Sequence, residues 1–192
     1  MRRIHVYGHV SASPAAIAEK FRAQVAREPI ADSDCAIFAI NPSAGIDQET
    51  IANWSALDEY QIPRLVVVNG IDGQELDFDD AVMVANRVFD PLITPYLVLH
   101  GESGTPIGTI SLTDLTTTDY STNPPTIGHA DEELKTMVAD FQEEFLGAME
   151  EMEDGAFAAG LIFPAIPVNP SNGLGLDIVK NYLRELPGGG EL

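Results

Sequence analysis

Two runs of consecutive apolar residues constrain the fold more than any other feature of this chain. Residues 35–40 and 65–68 contain no polar side chain, so each run is typical of a strand that is buried on both faces. Each run ends in turn-forming residues, and helical patterns follow over residues 47–60 and 78–89. Strands that alternate with helices imply crossover connections and a parallel sheet. We therefore predict an α/β fold.

Both ends of the chain fit the same alternation. Residues 3–10 are typical of a strand and residues 14–27 of a helix, because Ser13 is a cap residue and proline suits the first helical position. Near the other end, residues 161–168 lead into a last strand and residues 174–186 into a closing helix. The sequence predicts about four parallel strands flanked by helices.

The alternation of strands and helices ends after the helical pattern over residues 78–89. Residues 96–100 and 106–112 predict an antiparallel hairpin, and residues 113–128 a polar loop. Apolar residues at helical spacing over residues 131–153 predict an amphipathic helix. We predict an inserted α+β subdomain over residues 76–154, a core formed by residues 1–75 and 155–188, and a flexible tail at residues 188–192.

Thirty acidic against ten basic residues give a net charge of −20, which repels nucleic-acid phosphates and anionic membranes. No apolar run is long enough to cross a bilayer, and the start lacks the apolar segment of a signal peptide. We expect a cytoplasmic protein with no nucleic-acid or membrane partner. The acidity is concentrated in residues 131–154, which form either a solvated helix face or a docking surface for a basic partner.

Catalytic and metal-binding patterns are weak. His5 and His9 alternate on the first strand, but no carboxylate or cysteine accompanies them at a metal-ligand spacing. Ser43 and Ser103 lie outside any Gly-x-Ser-x-Gly elbow, and the single Cys35 sits in an apolar run. We predict neither catalytic residues nor a metal site.

Three loops after strands resemble those of the translational GTPases, most of all elongation factor G. The segment from Gly8 to Ala16 is similar to that family's phosphate loop, Gly-His-(Val/Ile)-Asp-Ala-Gly-Lys-Thr-Thr. Residues 62–72 resemble its Pro-Arg strand and guanine-reading Asn-Lys-Met-Asp motif, in which Asn69 and Asp72 match the base-binding residues. Residues 168–187 match its Ser-Ala loop and last helix, and residues 95–115 its inserted subdomain. The resemblance implies a reduced P-loop GTPase-like sheet.

The phosphate loop departs from the family where its chemistry resides. Gly8 is kept, but Ser13, Pro14 and Ala15 stand where the family has Gly-Lys-Thr. Proline supplies neither the lysine charge nor a backbone N–H, and alanine cannot bind magnesium. Only 17 residues separate Ala16 from Asp34, where the family places both switch segments and its Asp-x-x-Gly loop. We therefore expect GTPase activity to be lost.

The resemblance implies a non-catalytic relative of elongation factor G, without a cofactor, that acts as a protein-interaction or translation-associated regulatory module. Because the family's inserted subdomain resembles a contact platform for the ribosomal stalk, the implied partner is ribosome-associated. The alternative is a weak GDP- or GTP-binding protein that uses Asn69 and Asp72, although Gly70 replaces the lysine of the motif. Asn69 and Asp72 could equally serve as turn residues.

The shortened segment also predicts an exposed sheet edge. In the family, the missing residues supply the strand beside the first one, so the strand from Ile4 to Val10 is predicted to be an edge strand. It contains no proline and no charged residue apart from its histidines. We expect either that residues 27–33 cover this edge or that a homodimer forms through it.

Overall fold

The computed structural model describes residues 2–72 and 77–188. Within these residues the chain forms five α-helices, one 3-10 helix (Val10–Ala12) and nine strands. The helices are α1 (Pro14–Lys20), α2 (Gln48–Asp58), α3 (Phe78–Ala85), α4 (Glu132–Met149) and α5 (Leu176–Glu185). The strands are β1 (Ile4–Tyr7), β2 (Gln24–Val25), β3 (Cys35–Ile40), β4 (Arg64–Val68), β5 (Tyr96–His100), β6 (Pro106–Ser111), β7 (Thr116–Asp119), β8 (Thr126–His129) and β9 (Ala165–Pro167).

Five strands form a parallel sheet in the order β2-β1-β3-β4-β9. Every residue of β3 and β4 is buried, as their apolar runs require. One face packs against α1 and α5, and the other against α2 and α3. The predicted α/β class, with a parallel sheet flanked by helices, is confirmed. The sheet has five strands within the described residues, where the sequence predicted about four.

The predicted sheet edge at Ile4 to Val10 is wrong. The first strand ends at Tyr7, and β2 pairs with its outer side, with His5 opposite Gln24 and Val6 opposite Val25. The helix predicted over residues 14–27 ends at Lys20, and this leaves enough chain to turn back and form β2. Because its own chain occupies this side of the strand, β1 cannot support a homodimer through an open edge.

Residues 27–33, which the sequence predicted to cover the open edge, instead contact side chains of β1, because β2 already occupies the edge. The backbone N–H of Ile30 donates to the Tyr7 hydroxyl at 3.1 Å, and His5 Nδ1 lies 2.6 Å from Ser33 Oγ. The cover therefore comes from within the chain, from β2 and from the segment that follows it.

The second sheet is antiparallel, with the order β5-β6-β7-β8. Its last two strands lie in residues 113–128 and just beyond, where the sequence predicted a loop. Both strands are short and largely polar, β7 half-buried and β8 mostly exposed, so they lack the apolar alternation that marks a buried strand. Helix α4 lies against this sheet and buries Val138 and Phe145 in a third, smaller core.

The boundary between core and insertion stays a prediction. Residues 73–76 lie outside the described part, and α3, just beyond them, buries Phe78, Ala81 and Ala85 against the parallel sheet. Residues 189–192 of the predicted tail also lie outside the described residues. No helix among residues 2–72 and 77–188 has both the length and the hydropathy needed to span a membrane.

Candidate functional site

The loops that follow β1, β3 and β4 meet at the carboxyl-terminal end of the parallel sheet, because parallel strands all end on the same side. The Asn41 side-chain nitrogen donates to the Ser11 carbonyl at 2.9 Å. The Asn69 side-chain nitrogen donates to the Ala12 carbonyl at 3.0 Å. The structure thus brings the residues that match the phosphate loop close to those that match the guanine-reading motif.

Three backbone amides of the first loop, those of Ser11, Ala12 and Ser13, are used inside the loop itself. Residues Val10–Ala12 form a short 3-10 turn, in which Ser11 N–H donates to His9 Nδ1 at 3.2 Å and Ala12 N–H donates to the His9 carbonyl at 2.9 Å. Ser13 N–H donates to the Val10 carbonyl at 3.0 Å, and Pro14 has no N–H. A phosphate cradle needs several amides that point at one place. Residues 11–14 offer none.

Gly8 and Ser13 have structural roles in this loop. A Cβ at Gly8, whose φ is +146°, would lie 2.3 Å from the Ala39 carbonyl oxygen, so the close approach of β1 to β3 requires glycine. Ser13 adopts the left-handed conformation with φ 53°, and its side chain makes no cap hydrogen bond to α1. The adjoining Ala15 is exposed and Pro14 is buried.

The loop after β4 is also held by its own chain. Asn69 is half-buried, and its side-chain oxygen accepts from Gly70 N–H at 2.9 Å. Gly70 has φ +81°, and a Cβ there would lie 2.9 Å from Asn41 Nδ2. A lysine at this position would therefore require both a strained backbone and a shift of Asn41. Asp72 is exposed at the end of the loop.

A cavity of about 580 Å³ opens beside the first loop. Its walls come from that loop, from residues 25–27 at the end of β2, and from the start of α2. The lining residues are Gly8, His9, Val10, Ser13, Pro14, Ala15, Ala16, Val25, Ala26, Arg27, Asp47, Glu49, Thr50 and Asn53. The cavity therefore contacts Gly8, Ser13, Pro14 and Ala15 of the predicted site but not Asn69 or Asp72.

Sequence reasoning missed the α2 wall of this cavity. Asp47 caps α2, because its side chain accepts from Thr50 N–H at 2.7 Å, and Asn53 Nδ2 donates to the Arg27 carbonyl at 2.9 Å. The sequence feature that could have predicted this wall is the position of Asp47, a helix-cap residue just after the loop at the carboxyl end of a buried strand. The pairing of Asn53 with Arg27 has no sequence signal.

The charges at the cavity do not suit an anion. Asp47 and Glu49 contribute carboxylates, and Arg27 contributes a single guanidinium. No group of three or more His, Cys, Asp or Glu side chains in the described ranges is arranged to hold a metal ion. Cys35 is buried away from the cavity, and burial raises the pKa of its thiol, which disfavours the reactive thiolate.

Sequence comparisons find elongation factor G-like relatives, whereas no family model matches the chain. The elongation factor G-like protein of Mycobacterium tuberculosis is 24% identical over 180 residues, which cover 81% of this chain and 24% of the relative. That of Thermotoga maritima is 23% identical over 172 residues, covering 80% and 25%. The mitochondrial ribosome-releasing factor 2 of Anopheles gambiae is 24% identical over 156 residues, covering 79% and 20%. The chain thus spans about a quarter of these relatives or less.

A solved structure shares the fold. The crystal structure of a protein from Thermus thermophilus superposes with a TM-score of 0.70 and 20% identity, covering 82% of this chain and 27% of that one. The sequence relatives confirm the resemblance to elongation factor G that the loops indicated, and the solved structure shows the same fold. The chain is thus similar, by weak homology over about four fifths of its length, to elongation factor G-like proteins.

Proposed function

We propose that this chain is a non-catalytic relative of elongation factor G that acts as a protein-interaction module in translation. The closed first loop is the observation that carries this proposal. Ser11, Ala12 and Ser13 bond their amides within the loop, Pro14 stands in place of the lysine, and Ala15 has no hydroxyl for magnesium. Each lost electrostatic contact removes about 3 kcal/mol of transition-state stabilisation, so the combined loss is incompatible with GTP hydrolysis.

Weak guanine-nucleotide binding is the second candidate. The hydrogen bond from Asn69 to the Ala12 carbonyl holds the loop that matches the guanine-reading motif next to the loop that matches the phosphate loop. Against it, both ends of the Asn69 amide already bond within the chain, and Gly70 offers no side chain to cover a base. Calorimetry with GDP, GTP and ATP tests this candidate. If GDP binds, Asp72→Ala should abolish the binding, whereas equal affinity for ATP would show that no base is read.

Helix α4 is the proposed contact surface. Of its 18 residues only Val138 and Phe145 are buried. Met137 and Phe141 are 68% and 49% exposed on one flank of the buried face, and Leu146 is 43% exposed on the other. Acidic side chains occupy the remaining faces of the helix and the residues that flank it: Asp131, Glu132, Glu133, Asp140, Glu143, Glu144, Glu150 and Glu151. Apolar flanks beside carboxylates fit a partner surface that combines apolar anchors with Lys or Arg.

The relatives suggest where such a partner is found. One carries the name ribosome-releasing factor, and the others are elongation factor G-like proteins. We propose that α4 binds a basic protein surface on or near the ribosome. Both the net charge of −20 and the local acidity speak against direct contact with RNA phosphates.

Co-sedimentation with ribosomes of the source organism at low and high salt tests this surface. We expect binding that weakens as salt rises, because screening acts on exposed charge pairs. The double variant Met137→Ser/Phe141→Ser should bind about tenfold more weakly, since buried aromatic anchors dominate interface energies. Ile127→Ser, which changes a 72% exposed side chain on β8, is the matched control. No binding at either salt concentration, or equal losses in the two variants, would contradict the proposal.

A further inference from the structure

We infer that the cavity between the first loop and the start of α2 binds a primary ammonium group carried on a short aliphatic chain. This site lies on the parallel sheet, so the inference does not depend on the surface proposed for α4. A volume of about 580 Å³ is sufficient for a small organic ligand or for one long side chain.

Two buried polar side chains in the cavity wall have unused acceptor atoms. Thr50 and Asn53 are 4% and 6% exposed, and both line the cavity. Asn53 uses its nitrogen on the Arg27 carbonyl, while its oxygen and the Thr50 hydroxyl make no hydrogen bond within residues 2–72 and 77–188. In that part of the chain, the side-chain nitrogen and oxygen atoms that are inaccessible to solvent and lack a hydrogen-bond partner belong to Arg2 and Arg64. The free oxygens of Thr50 and Asn53 are not among these atoms, and both residues line the cavity, so these oxygens are available as acceptors in its wall.

The same wall carries negative charge. Asp47 engages one carboxylate oxygen in capping α2, and its second oxygen and the Glu49 carboxylate stay available as acceptors. An ammonium group has three donors and no acceptor, so it matches this wall, whereas a phosphate has acceptors alone and would meet two carboxylates. Pro14, Ala15 and Ala26 supply apolar surface for the methylene groups of the ligand.

Arg27 distinguishes a ligand that carries only an ammonium group from one that also carries an anionic group. Among the lining residues it is the sole lysine or arginine, and it is exposed. A ligand with an ammonium group and no anionic group gains nothing from Arg27. A zwitterionic ligand would instead pair its carboxylate with this guanidinium, so Arg27→Ala separates the two chemistries.

Calorimetric titrations of the full chain with putrescine and with Nα-acetyl-lysine amide test the site, with inorganic phosphate as the counter-probe. Binding of either amine supports the inference: putrescine alone points to a free polyamine, and the lysine derivative alone to a lysine side chain of another protein. Phosphate should not bind. Absence of binding by both amines at millimolar concentration, or tighter binding of phosphate, would overturn the inference.

Four variants locate the binding. Asp47→Asn keeps the helix cap, because asparagine caps as well as aspartate, and should weaken amine binding at least fivefold. Glu49→Gln should also weaken it, and Arg27→Ala should leave it equal or tighter. Glu143→Gln on α4 makes the same change in net charge at a residue that does not line the cavity, and it should have no effect. Equal losses in Asp47→Asn and Glu143→Gln, or a loss in Arg27→Ala, would contradict an ammonium site.

Discussion

The burial of apolar side chains differs sharply between strands β3 and β4 and helix α4. All residues of the two strands are buried, whereas α4 buries two residues and leaves Met137 and Phe141 largely exposed. The loops at the end of the parallel sheet are likewise closed, since their amides and asparagines bond one another. This difference is the basis of our proposals that the sheet serves as a scaffold and that α4 and the cavity beside α2 are the binding surfaces.

Arg64→Ala should show the largest effect on the scaffold. Arg64 is 1% exposed between the rings of Trp54 and Phe163, 4.5 and 4.4 Å from their centres, and it donates to the Trp54 carbonyl at 2.8 Å and to Asp58 at 2.5 Å. Its removal leaves a gap and unpaired groups, so the free energy of unfolding should fall by about 3 to 5 kcal/mol. Urea unfolding measures this loss.

Arg184→Ala is the control for that prediction, because Arg184 is exposed on α5 and its guanidinium contacts only Asn181 among the described residues. Its effect should stay below about 0.5 kcal/mol. Similar losses in the two arginine variants would mean that the stacked arginine is not a structural anchor.

Gly8→Ala should be the next most harmful change. The new methyl group would lie 2.3 Å from the Ala39 carbonyl oxygen at a φ of +146°, and we expect a loss of about 2 to 3 kcal/mol in unfolding free energy. Gly45→Ala, with φ +69° and no atom within 4 Å, should lose about 1 kcal/mol. If Gly8→Ala costs no more than Gly45→Ala, the close approach of β1 to β3 does not require glycine.

Acid should destabilise the scaffold through His5. Burial lowers the pKa of His5; Asp32 has a smaller raising effect on this pKa, and Arg3 a smaller lowering effect. Ser33 Oγ donates to the Ile30 carbonyl at 2.8 Å, so the neutral ring donates from Nδ1 to Ser33. Because the unfolded chain binds the proton more readily, stability is lost as pH falls through about 6.5, by at most about 1.4 kcal/mol per pH unit.

The pH effect is measured as the difference in unfolding free energy between the unaltered chain and His5→Gln at pH 7.5 and 5.5. The advantage of the unaltered chain should shrink on acidification. A constant or growing advantage would show that the buried ring accepts a proton as readily as the unfolded chain.

Phe141→Ser should have the smallest effect on stability. Half of this side chain is already exposed, so its replacement should change the unfolding free energy by no more than about 0.5 kcal/mol while weakening partner binding. A stability loss comparable to that of Gly8→Ala would place Phe141 in the core and would remove the contrast between α4 and the parallel sheet.

The parallel sheet could be predicted from sequence because burial on both faces leaves an unbroken apolar run, as in β3 and β4. The two residues of β2 could not, since both are exposed and their pairing depends on where α1 ends. The residue types of the first loop indicated lost phosphate chemistry. That its amides bond one another, and that Thr50 and Asn53 face a cavity, depends on backbone geometry that residue identities do not specify.

Single-turnover GTP hydrolysis with magnesium tests the central claim most directly. We expect phosphate release no faster than in a protein-free control, both for the unaltered chain and for Pro14→Lys. The lysine alone neither restores the magnesium ligand nor frees the amides of residues 11–13 from their hydrogen bonds within the loop. Magnesium-dependent phosphate release above the control by the unaltered chain would contradict the claim that this domain is non-catalytic.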